Sequence, residues 1–171
     1  KCFSDTRIEV KEGEWFTPSH LTPPTGYHKT DIKYPDGYVE AGKITDGSYK
    51  VTEDTVNRVY YEPNTYTLTF DANGGTITAG NASVNEIAGR ISYDARYGMV
   101  GFDYDADGFY TDAVGFPTPE KVGYTFTGWY TQSEGGEVIE SSGKYETDGD
   151  TTLYAHWQIN SYTVIYDYWT N

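Results

Sequence analysis

Polar and apolar residues alternate through much of this chain. Tyr66, Leu68 and Phe70 are separated by Thr67 and Thr69, the period of two that marks a half-buried β-strand. Leu153, Ala155 and Trp157 alternate with Tyr154 and His156 and predict a closing strand. Further strands are predicted at Thr125–Tyr130 and Ile91–Tyr93, and Val56, Arg58, Val59, Tyr60 and Tyr61 form a less regular closing strand. Asp71-Ala72-Asn73-Gly74-Gly75 predicts a tight turn because Asn and Gly both tolerate positive φ, and Asn-Gly between strands reads as a hairpin. Only Ala82–Ala88 and Pro119–Val122 read as short helical turns. The pattern predicts mostly antiparallel sheet with at most one short helix per unit.

The units come from an internal repeat. Asn64-Thr65-Tyr66-Thr67-Leu68-Thr69-Phe70-Asp71 returns as Asn160-Ser161-Tyr162-Thr163-Val164-Ile165-Tyr166-Asp167, an offset of 96. The same offset links Gly47 to Gly143, Tyr49 to Tyr145, Asp54-Thr55 to Asp150-Thr151 and Tyr61 to Trp157. Gly26-Tyr27 recurs at Gly123-Tyr124 with an offset of 97, so one residue slips in between. The expected organisation is a partial module at 1–63 that lacks its opening strand, a complete module at 64–159, and at 160–171 the first strand of a following module or a donor strand. The chain starts without Met and is read as a fragment or a processed product.

Composition narrows the function. Aromatic residues reach 17%, with 18 Tyr, 7 Phe and 4 Trp, so the chain has the material for a packed core. Its 19 Gly suit turns between short strands. The formal net charge of −14 repels a phosphate backbone and an anionic membrane surface, so neither nucleic acid nor membrane insertion is expected. No run of about 18 apolar residues predicts a spanning helix. The single cysteine, Cys2, forms no internal disulfide, so packing alone must hold the fold.

Three blocks in order, Tyr66–Gly75, Phe116–Tyr130 and Leu153–Trp157, resemble the Listeria–Bacteroides repeat, also called the internalin B-repeat, over about residues 64–158. Residues 1–63 resemble the mucin-binding-protein repeats of bacterial surface proteins, through Gly13-Glu14, Pro23-Pro24-Thr25-Gly26-Tyr27 and Val59-Tyr60-Tyr61. The resemblance implies a β-rich α+β fold of tandem β-grasp-like modules, on the surface or wall of a bacterium, with no catalytic residues to carry over. The chain departs from the family pattern in an insert near 99–115.

That insert carries the sharpest chemical signal. Asp103, Asp105 and Asp107 stand at alternate positions before Gly108, matching the first half of a calcium loop, and Asp112 adds a fourth carboxylate. The twelfth position is Val114 where such a loop places a bidentate Glu. The same residues also read as a solvated acidic hairpin tip between Phe102 and Phe109. Calcium is thus a candidate ligand, and no cofactor is required.

Trp129 and Trp157 sit in strand alternation and read as packing residues, although exposed aromatics would form a sugar-stacking platform. His20, His28 and His156 are isolated, and Glu134, Glu137 and Glu140 lie in or beside a Gly-rich turn with nothing apolar to raise a pKa. No hydrolase, P-loop or zincin motif appears, so no enzyme is expected. The expected function is a non-enzymatic extracellular repeat module of a bacterial surface protein, acting as stalk, spacer or adhesin. The alternatives are a filament subunit assembled by strand exchange and a glycan- or mucin-binding module. The expected partners are neighbouring modules or subunits, or a host glycan or surface protein.

Overall fold

The computed structural model describes residues 7–18, 21–80, 82–102 and 115–169. The chain divides into two compact units, Lys1–Pro63 and Asn64–Asn171.

In the first unit, β1 (Trp15–Phe16) pairs antiparallel with β3 (Tyr49–Lys50), and β2 (Tyr27–Lys33) pairs antiparallel with β4 (Arg58–Pro63). Its core is small and aromatic. Tyr49 is fully buried and meets Phe16, Tyr34 and Tyr38 edge to face, with ring centroids 5.9, 6.4 and 5.1 Å apart. Edge-to-face packing sets the positive rim of one ring against the negative face of the next. The Tyr49 hydroxyl is satisfied by the Thr55 hydroxyl at 3.0 Å and by Asn57 Nδ2, which donates from 2.7 Å.

The second unit contains β5 (Thr65–Asp71), β6 (Thr76–Ala79), β7 (Ala82–Val84), β8 (Glu86–Ser92), β9 (Pro119–Glu120), β10 (Tyr124–Tyr130) and β11 (Thr151–Ile159). One sheet runs in the order β10-β11-β5-β8 and a second in the order β7-β6-β9. Every strand pair is antiparallel except β11 with β5, which run parallel from Thr151 beside Leu68 to Tyr154 beside Asp71. Leu68 and Phe70 of β5 and Leu153 and Ala155 of β11 point into the core and are fully buried. Phe70 is its hub, with the rings of Trp129, Phe116 and Phe102 centred 4.9, 5.3 and 6.0 Å away.

The strands at β5, β10 and β11 fall where period two predicts them. The helical readings do not hold. Residues 82–84 and 86–88 are strand, in β7 and β8, and Pro119–Glu120 is strand β9. Cross-strand partners on β6 and β5 decide the conformation there, overriding weak local preference. Among the described residues, helix is confined to 3-10 turns such as Tyr97–Met99. The Asn-Gly turn forms, with φ of 48° at Asn73 and 83° at Gly74, but β5 and β6 do not pair across it. Instead the Asn73 side chain donates to the carbonyls of Ser133 and Ala155 at 2.9 and 3.0 Å, which sends the chain out of the first sheet.

Candidate functional site

Asp103, Asp105, Asp107 and Asp112 lie outside the described residues, as do Cys2 and His20. The other polar candidates occupy ordinary surroundings. His28 lies on the exposed face of β2. His156 stacks on Tyr130 at 3.9 Å between ring centroids and bonds the carbonyl of Gln132. Glu134, Glu137 and Glu140 are exposed. Among the described residues, no group of three His, Cys, Asp or Glu side chains is placed to hold a metal ion.

Two tryptophans are packing residues with their polar ends used. Trp129 Nε1 donates to the Pro117 carbonyl at 3.1 Å, and Trp157 Nε1 donates to the Ala72 carbonyl at 2.9 Å. Trp15 and Trp169 face solvent, 54% and 90% exposed. An open cleft of about 500 Å³ is lined by Phe116, Phe126, Trp129, Val138 and Ile139.

Three tyrosines hold the loops around the sheet. Tyr66 donates to Asp148, and this hydrogen bond is the main cause of a phenol pKa above its ordinary value. Tyr145 donates its single proton to the Gly149 carbonyl, and its oxygen lies 3.0 Å from the Thr151 hydroxyl, which donates to it. Burial raises the pKa of Tyr145 and of Tyr97, because a phenolate loses its hydration there.

The duplicated hairpin is the most informative geometry. Tyr27, His28, Lys29, Asp31, Ile32 and Lys33 of β2 face Pro63, Glu62, Tyr61, Tyr60, Val59 and Arg58 of β4. Tyr124, Thr125, Phe126, Gly128, Trp129 and Tyr130 of β10 face Ile159, Gln158, Trp157, His156, Ala155 and Tyr154 of β11. All six pairs correspond, at offset 97 on the entering strand and 96 on the closing strand. Each hairpin has a bulge at the same place, and the skipped residue is threonine both times, Thr30 and Thr127. A turn with glycine at positive φ, Gly26 or Gly123, leads into each, closed by a 3.1 Å bond from Tyr27 N–H to the Pro24 carbonyl or from Tyr124 N–H to the Lys121 carbonyl. The one-residue slip therefore falls in the loop after the entering strand.

The closing strands differ in one respect. β11 continues back to Thr151 and pairs there with β5, whereas residues 55–57 of the first unit are not in a strand. Asn57 Oδ1 is buried there without a hydrogen-bond partner. Asn160–Trp169 follows β11 outside any strand, with Tyr162, Val164, Ile165 and Tyr166 between 73% and 83% exposed.

Residues 90–156 match the family described as Listeria-Bacteroides repeat domain. A protein of Evansella cellulosilytica named putative Gly-rich membrane protein is 33% identical over 121 residues, covering 69% of this chain and 11% of that protein. A putative membrane protein of the same organism is 33% identical over 120 residues, covering 68% of this chain and 14% of its own length. Internalin H of Listeria monocytogenes is 40% identical over 72 residues, 37% of this chain and 13% of that protein. The chain thus spans only 11% to 14% of the relatives it matches. The stretch that matches the Listeria–Bacteroides repeat runs from β8 into β11.

Proposed function

We propose that this chain is a non-enzymatic spacer from the extracellular part of a bacterial surface protein. The observation that carries the reading is the duplicated hairpin, built twice with one register, one bulge and one tyrosine lock from sequences that otherwise diverge. Selection on a spacer acts on the geometry of each unit, and selection on an enzyme acts on one constellation of side chains. Repeat arrays reach length by adding units whose stability resides within themselves and in contacts to their neighbours. We read the second unit as β-grasp-like, from its β10-β11-β5-β8 order with a parallel central pair. The names of the two Evansella relatives, both putative membrane proteins, support a place at the cell envelope.

Small-angle scattering from the chain and from its tandem duplication tests this. A spacer lengthens in proportion to the number of units. A maximum dimension that stays constant on duplication, or hydrolysis of a polysaccharide by the purified chain, overturns the reading.

A second reading is favoured by a separate observation, the exposed copy of β5 at Tyr162–Asp167. In this reading copies of the chain assemble by strand addition.

A further inference from the structure

We propose that Asn73 is a modification site, where spontaneous deamidation works as a one-way switch of the turn between β5 and β6. The inference is independent of the spacer reading. Asn73 is the only asparagine of the chain followed by glycine. In deamidation the nucleophile is the next backbone nitrogen, and a following glycine has no Cβ to crowd it.

The chemistry needs only water. The Gly74 nitrogen gives up its proton and forms a bond to Asn73 Cγ. The Cγ–Nδ2 bond breaks, and ammonia leaves with that proton. Water then opens the five-membered imide at either of its carbonyls. The product is aspartate, or isoaspartate with an extra methylene in the main chain.

The structure leaves the nucleophile available and restrains the electrophile. Asn73 N–H donates to Asp71 Oδ1 at 2.8 Å, and Gly75 N–H donates to the Ala72 carbonyl at 2.9 Å. The Gly74 N–H between them has no partner among the described residues. Lys121 Nζ donates to the Asn73 carbonyl, in the same peptide group, at 3.4 Å. Its positive charge there favours loss of the Gly74 proton. The Asn73 amide, by contrast, gives its Nδ2 hydrogens to the Ser133 and Ala155 carbonyls, at 2.9 and 3.0 Å. The reaction expels this same nitrogen, so it cannot finish without breaking both bonds. The folded chain therefore slows the step by what those bonds are worth.

The product cannot close the turn again. A carboxylate has no proton to offer, so the Ser133 and Ala155 carbonyls both lose their donor. Isoaspartate also lengthens the chain two residues before Gly75, where a Cβ would already stand 2.5 Å from Trp157 Cζ2. Residues 72–75 carry the chain from the first sheet into the second, so conversion loosens that junction permanently.

The full chain is held in mildly alkaline buffer, folded or in urea, and its digested peptides are followed by mass spectrometry. In urea, Asn73 is expected to convert first of the seven asparagines. In the folded chain it is expected to convert about thirtyfold more slowly, the worth of two net hydrogen bonds. Converted chain, separated by its added negative charge, is expected to melt at a lower temperature than fresh chain, with faster amide exchange at residues 74–76. Another asparagine converting first in urea overturns the site. Equal rates in folded and unfolded chain overturn the restraint by Ser133 and Ala155. Converted chain that melts together with fresh chain overturns the switch.

Discussion

The Tyr145 hydroxyl accepts from the Thr151 hydroxyl across 3.0 Å, tying a fully buried ring to the first residue of β11. Tyr49 and Thr55 stand in the same relation, also at 3.0 Å and with the same spacing in sequence. In the second unit the closing strand starts at this hydroxyl pair, whereas in the first β4 starts three residues after it, at Arg58. Only in the second unit does a neighbouring strand, β5, then extend the pairing back to that residue.

Tyr145→Phe keeps the ring and removes the hydroxyl that serves Thr151 and Gly149. It is expected to cost about 1–3 kcal/mol, since the Gly149 carbonyl loses its donor and the Thr151 hydroxyl its acceptor. Tyr145→Ala also opens a cavity and is expected to cost about 3–5 kcal/mol. Urea denaturation of the two variants checks the order.

Asn73 combines a backbone need and a side-chain need, and two substitutions separate them. Asn73→Gly keeps the φ of 48° accessible and loses the bonds to Ser133 and Ala155. It is expected to destabilise by about 1–2 kcal/mol. Asn73→Ala adds the strain of a left-handed alanine, about 1 kcal/mol more. Thermal melts that place the two variants level would show that the turn conformation contributes nothing.

Gly75 is fixed by close approach. A Cβ there would lie 2.5 Å from Trp157 Cζ2 and 2.6 Å from the Glu120 carbonyl oxygen. Gly75→Ala is expected to cost about 1–3 kcal/mol by forcing β9 or Trp157 to shift. Trp157 fluorescence should change with it. A variant as stable as the parent with an unchanged spectrum contradicts this packing.

Alkaline pH should unfold the second unit through its tyrosines. The phenols of Tyr97 and Tyr145 are raised by burial, Tyr97 also by Glu146, and that of Tyr66 by its hydrogen bond to Asp148. An unfolded tyrosine ionises near pH ~10, and the folded ones do so higher. Their contribution is complete below about pH 10 and is lost as the pH rises through the folded values. Melting temperature is expected to fall above that point, and less steeply in Tyr97→Phe.

The sequence by itself determined the face of each main strand, the glycine and asparagine turns, and the duplication. Period two says which of Tyr66, Thr67 and Leu68 share a side, because successive Cβ atoms alternate whatever lies next to the strand. It does not say which strand lies alongside. Only the tertiary structure decided that β5 runs parallel to β11, that Ala82–Ala88 is strand, and that the Asn73 amide turns the chain away from a hairpin. The first and the last depend on partners 60 or more residues away, and the second on cross-strand partners in β5 and β6, none of which local spacing encodes.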